Sequence, residues 1–185
     1  HTAAGREVRD GGGVSPDIEV KQERLPNILF YLVRDNLIFD YATDYCLKHP
    51  AIASAKEFEL TDADYEEFKN KVKGADFKYD QQSEKILNTL KEAAEFEGYM
   101  KDASDEFKAL ENKLKHNLDR DLDDFSKDIK KMIAEEIIKR YYYQEGAIIQ
   151  QLKDDKDLDE AVKVLTNPER YQQILSVTAV TAKKE

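Results

Sequence analysis

The sequence predicts a mainly α fold, a multi-helix bundle with one long helix preceded by a short β-hairpin, on three observations. From Ser104 to Glu145 no Gly or Pro interrupts a run of apolar residues spaced three and four apart. Between Asn27 and Lys48 a second run covers a wide helical arc. Only Gly5 to Val20 resists a helical reading.

That first stretch reads as two extended pieces joined by a turn. Gly11, Gly12 and Gly13 accept positive φ without a Cβ clash. Pro16 pushes Ser15 out of the α region, and Ile18 and Val20 alternate with Glu19 as in a half-buried strand. A hairpin needs a sheet to join, and the helical remainder offers none. Residues 1–20 are therefore expected to end an upstream domain, and residues 21–185 to form a helical one. The absence of a starting methionine fits a fragment.

Lys21 to Arg24 reads as a polar linker, and Pro26 suits the first turn of a helix. Ile28, Leu29, Leu32, Val33, Ile38, Tyr41, Ala42 and Tyr45 mark a single helix, Asn27 to Lys48, ended by His49-Pro50. As the most apolar helix it is placed at the centre of the core. Thr61, Asp62 and Asp64 signal a helix start, and Gly74 its end. Asp80 or Ser83 opens the next helix, striped by Ile86, Leu87, Leu90, Ala93 and Ala94 and ending near Gly98. Phe107, Leu110, Leu114, Leu118, Leu122, Phe125, Ile129, Ile133 and Ile137 then predict either one helix from Ser104 to Tyr143 or two collinear halves hinged near Asn117 to Asp119. A single helix would be roughly 60 Å long. Ala147 to Leu152 continues it, straight or bent; Leu158, Ala161, Val162 and Leu165 stripe another helix; Asn167-Pro168 starts the last one.

The chain, at 185 residues, is long enough to bury about 70% of its unfolded surface. With 37% charged residues and a mean hydropathy of −0.73, its charge goes to solvated helix faces. A net charge of −10 opposes phosphate backbones, which excludes nucleic acid as a partner. No apolar run is long enough to span a membrane. The single cysteine, Cys46, excludes an internal disulfide and reads as a buried helical thiol.

No catalytic constellation emerges. Ser15, in Gly13-Val14-Ser15-Pro16-Asp17, lacks the second glycine of a nucleophile elbow and reads as a turn residue. Cys46 and His49 share a helix face, but a working pair needs a third group, and a histidine near a helix C-terminus is favourable through the dipole alone. His1, His49 and His116 have no partner at zinc spacing. Asp119-x-Asp121-x-Asp123 and Asp155-x-Asp157-x-Asp159 lack the glycine and glutamate of a calcium loop and read as solvated faces or helix starts. No metal and no cofactor is expected. Tyr141, Tyr142 and Tyr143 span about 200° of a helix and cannot all face one core. They are the candidate interaction surface, weighed against two core residues and one rim residue. The lysines of this helix are expected to pair with its acids at i,i+4.

Gly5-Arg6, the turn through Gly12-Gly13, and Pro16-Asp17-Ile18-x-Val20 together resemble the last conserved stretch of the carboxyl-terminal processing, or tail-specific, serine proteases. The helical remainder is similar to the C-terminal extensions of Bacteroides-type members at Leu60 to Tyr65 and Lys139 to Gln144. Thr2-Ala3-Ala4 departs from the proline that the commonest members place before Gly-Arg. The resemblance implies that a nucleophilic serine and its activating lysine lie upstream, so the present chain is not itself an enzyme. It further implies a periplasmic or cell-envelope location, and as partners the upstream protease core, protein substrates or a second copy. The expected work is substrate handling, access control or assembly. The rival reading is an independent helical interaction module with no enzymatic parent.

Overall fold

A computed structural model describes residues 16–21, 24–115 and 117–176. The chain divides into two compact units, one of residues 24–150 and one of residues 1–23 with 151–185.

In the larger unit the first predicted helix is two. Helix α1 runs Asn27–Arg34 and α2 runs Leu37–Lys48, separated by Asn36 in the left-handed region at φ 60°. Asparagine tolerates that conformation better than other residues with a Cβ. Arg34, whose guanidinium forks onto the Asp35 carboxylate at 2.6 and 2.9 Å, braces the turn. Helix α3, Asp62–Gly74, opens with a capping box in which Thr61 and Asp64 satisfy each other's backbone N–H groups.

Helices α4, Gln82–Phe96, and α5, Met100–Leu114, form an antiparallel hairpin. Of the predicted α4 stripe, only Leu87 and Ala94 are buried, whereas Ile86 and Leu90 are exposed. The predicted long helix is not continuous. It breaks after Leu114 and restarts at Leu118, so the break meets the expected hinge of Asn117 to Asp119 only at Asn117; it breaks again at Phe125, leaving α6, Leu118–Asp124, and α7, Ser126–Gln151, in place of one helix or two halves. The side chain of Asn117 accepts the Arg120 N–H at 3.0 Å, capping α6 and making the restart favourable. Helix α7 passes through Gly146 but is kinked at Tyr143.

One core joins these elements except α4 and α5. Ile28, Leu29 and Leu32 of α1 and Ile38, Tyr41 and Ala42 of α2 meet Phe68 and Val72 of α3, Leu122 of α6, and Ile129, Ile133, Ile137 and Ile138 of α7. Each fully buried aliphatic side chain contributes about 2 kcal/mol. The Tyr65 hydroxyl, buried among them, donates to the Leu122 carbonyl at 2.5 Å.

The smaller unit holds α8, Lys156–Leu165, and α9, Pro168–Leu175, after a single 3₁₀ turn, Leu152–Asp154. Asp155 caps α8 by accepting the Leu158 N–H, and Asn167 caps α9 by accepting the Arg170 N–H, with Pro168 in the first turn. Glu160 receives Arg170 at 2.5 Å, and neither helix buries a side chain completely. In the same unit, residues 16–21 bend at Asp17 and Ile18 and form no strand. Ile18 and Val20 are half-buried while Glu19 is exposed, so the alternation is present without a ladder. The rest of the expected hairpin, including Gly5, Arg6, Gly12 and Gly13, lies outside the described residues.

Candidate interaction surface

The three adjacent tyrosines leave α7 in different directions. Tyr141 donates its hydroxyl to the His49 carbonyl and lies 3.5 Å from that of Cys46, at the end of α2. Burial pushes its phenol up to about 12, so it stays a donor at neutral pH. Tyr142 donates to the carbonyl of Ala53 at 3.1 Å, with that of Ile52 at 3.4 Å. Two neighbouring side chains thus hold the connector that follows α2. Tyr143 is 79% exposed.

This divergence has a backbone cause. Tyr143 adopts φ 54° and ψ −151°, a combination that costs a residue with a Cβ about 1–3 kcal/mol. The bend brings Gly146 onto the preceding turns. A Cβ at Gly146 would lie 2.4 Å from Tyr142 Cβ and 2.8 Å from Ile138 Cγ2, so the close approach requires glycine. Beyond it, buried Gln150 donates to the Phe58 carbonyl at 3.0 Å. On the other side, Arg140 reaches the Phe39 carbonyl and Thr43 Oγ1, both at 3.0 Å, while its second nitrogen binds Glu136 at 2.7 Å. The kink is thereby clamped from both ends.

Some of the basic face expected on α7 is paired at i,i+4 with its own acids: Lys139 meets Glu135 at 3.1 Å and Arg140 meets Glu136 at 2.7 Å. Lys130 instead crosses to Asp62 of α3.

A second polar cluster lies where Asp119, Asp121 and Asp123 read as solvated faces or a helix start: Asp119 and Asp121 do open α6, but not all three are solvated. Asp119 and Asp123 are exposed and pair with Lys73 and Lys69 of α3, but Asp121 is only 4% exposed. It accepts the Tyr79 hydroxyl at 2.5 Å, Gln81 Nε2 at 2.7 Å and the Arg120 guanidinium at 2.9 Å. Burial alone would raise this carboxyl, yet the hydrogen bonds from Tyr79 and Arg120 overcome it and hold it below the usual carboxylate range. The network floors an open groove of about 340 Å³ lined also by Asn27, Leu114 and Phe125. With donors already on both its oxygens, Asp121 serves as a structural hub. The only local sign of this in the sequence is that Asp121 precedes Leu122 and sits one turn after Leu118.

Cys46 is half-buried, and His49 stacks on Tyr45 at 4.0 Å with Nδ1 2.9 Å from the Tyr45 carbonyl, so the imidazole is engaged in capping α2. Among the described residues no group of three or more His, Cys, Asp or Glu side chains could hold a metal ion, and no helix is long and apolar enough to cross a membrane. Pro16, Asp17 and Ile18 lie in the short described segment ahead of α1.

Searches of curated proteins and of solved structures return no significant match. A family model described as the C-terminal helical domain of a probable PDZ-protease matches residues 28–165, well over half of the chain, so this chain belongs to that family of helical protease domains.

Proposed function

We propose that this chain is the non-catalytic extension of a serine-type, tail-specific endopeptidase of the periplasm or cell envelope, and that it handles the protein substrate. One observation carries the reading: the family match begins at residue 28, a short linker after Pro16-Asp17-Ile18-x-Val20, the segment resembling the end of a tail-specific protease core. On this reading residues 1–20 complete the upstream core, which holds the serine and lysine, and the helices stand beside it. Tyr141, Tyr142 and Tyr143 supply the contact surface. Tyr141 and Tyr142 fix the connector, and Tyr143 offers an exposed aromatic ring on a bend that the hydrogen bonds of its neighbours make rigid. The family match to a protease domain weighs against an independent module.

The test is cleavage of a substrate with an unstructured C-terminal tail by the parent polypeptide, with and without residues 21–185. Truncation and Tyr143→Ala are both expected to raise KM for the tailed substrate while a short peptide is cleaved as before. Faster, less selective cleavage after truncation would assign access control instead, and loss of a dimer with loss of activity would assign assembly. No cleavage by the intact parent would overturn the protease reading.

A further inference from the structure

The α4–α5 hairpin ends in a turn whose two aromatic side chains are largely exposed. Glu97 ends α4, Gly98 follows in the left-handed region at φ 84°, and two backbone bonds lock the reversal: Tyr99 N–H to the Ala94 carbonyl at 2.9 Å and Gly98 N–H to the Glu95 carbonyl at 3.1 Å. This 6→1 and 5→2 pair is the Schellman motif, and it fixes the tip without help from side chains. On that rigid turn Phe96 is 94% exposed and Tyr99 63% exposed. Neither contributes to the core.

The charges around them are just as costly. Glu92, Glu95, Glu97, Asp102, Asp105 and Glu106 flank the two aromatics along the chain, with Lys101 and Lys108 as the only cations between residues 92 and 108. Among the described residues, only Asp105 of the six carboxylates forms an ion pair, to Lys108 at 3.9 Å. The last turn of α4 contains no basic residue. Glu95 and Glu97 therefore sit at the negative end of the α4 dipole, where a cation is stabilising and a carboxylate is not. A stretch that spends stability on exposed aromatics and misplaced carboxylates, within an otherwise well-capped fold, is the pattern of a binding site.

We propose that this tip docks on a basic amphipathic helix of a partner protein, against its apolar stripe, with Phe96 and Tyr99 as anchors and the carboxylates as the rim. The sign of the charge selects the occupant. Nucleic acid, an anionic membrane and the same tip of another copy would each be repelled, whereas a lysine- and arginine-rich helix is attracted and oriented. Because the turn is locked before contact, little conformational entropy remains to be lost on binding. The inference is independent of the tyrosine surface on α7.

The probe is an amphipathic helical peptide, Leu-Lys-Lys-Leu-Leu-Lys-Leu repeated twice and labelled with fluorescein, titrated with the full chain and followed by fluorescence anisotropy. Saturable binding that weakens with salt is expected, with hydrogen-exchange protection confined to residues 92–106. Phe96→Ala and Tyr99→Ala should each weaken it at least about tenfold. Glu95→Gln with Glu97→Gln should flatten the salt dependence. Leu47→Ala, removing a side chain 81% exposed on α2, should change nothing. Failure to bind, protection elsewhere, equal loss in Leu47→Ala and Phe96→Ala, or binding of phosphatidylglycerol vesicles in place of the peptide would each overturn the proposal. Both aromatic positions are exposed, so the alanine variants keep the fold, which far-ultraviolet circular dichroism checks.

Discussion

Tyr79 donates its hydroxyl to Asp121 at 2.5 Å across 42 positions of sequence. Asp121→Ala leaves the Tyr79, Gln81 and Arg120 donors without their acceptor and should cost about 3 kcal/mol in urea unfolding, while Tyr79→Phe removes one bond to a charged acceptor and should cost about 2 kcal/mol.

The same carboxylate sets a pH dependence. Its folded-state value lies below the ordinary 3.8, so the unfolded chain binds the proton more readily. The stabilisation is present above that ordinary value and is lost as pH falls through the folded one. Unfolding midpoints of the wild type should drop with acidification in this window, and those of Asp121→Asn should drop less.

At the α7 kink two substitutions should move stability in opposite directions. Tyr143→Gly relieves the positive φ and should raise stability by about 1 kcal/mol, whereas glycine in a straight helix would lower it by a similar amount. Gly146→Ala drives a Cβ into Tyr142 and Ile138 and should cost about 1–3 kcal/mol. Chemical denaturation of both variants decides whether the bend is present in solution.

Tyr142→Phe should cost about 1 kcal/mol, because the Ala53 and Ile52 carbonyls lose their donor. Local opening of the connector should rise accordingly. Limited trypsin cleavage at Lys56, which lies in it, should accelerate about fivefold.

Local chemistry in the sequence predicts the elements whose ends carry their own signals. Thr61 with Asp64, Gly74, Asn167-Pro168 and the Gly98 turn all act within a few residues, and each appears where the spacing puts it. The split at Asn36 escapes the apolar pattern because both helices face one core; its only trace is the gap between Val33 and Leu37, filled by an asparagine able to turn left-handed. The kink at Tyr143 likewise depends on contacts from remote segments, Phe58 to Gln150 and Ala53 to Tyr142. Asp121 looks like its neighbours Asp119 and Asp123 until Tyr79 and Gln81 arrive from another part of the chain. Helical periodicity reports which side of a helix is apolar. It cannot report which carboxylate will be buried by a distant hydroxyl.

The clasp formed by Tyr79, Gln81 and Asp121 also determines how the domain tolerates changes of length. The chain entering α4 and helix α6, which follows α5, are held within side-chain reach of each other, and neither α4 nor α5 belongs to the core. Residues 82–114 are consequently an insertion cassette. Lengthening both arms of the cassette by matched turns adds only a slowly growing loop-closure entropy and leaves the body's packing untouched. The domain can therefore change how far its acidic tip reaches without altering the scaffold that carries it.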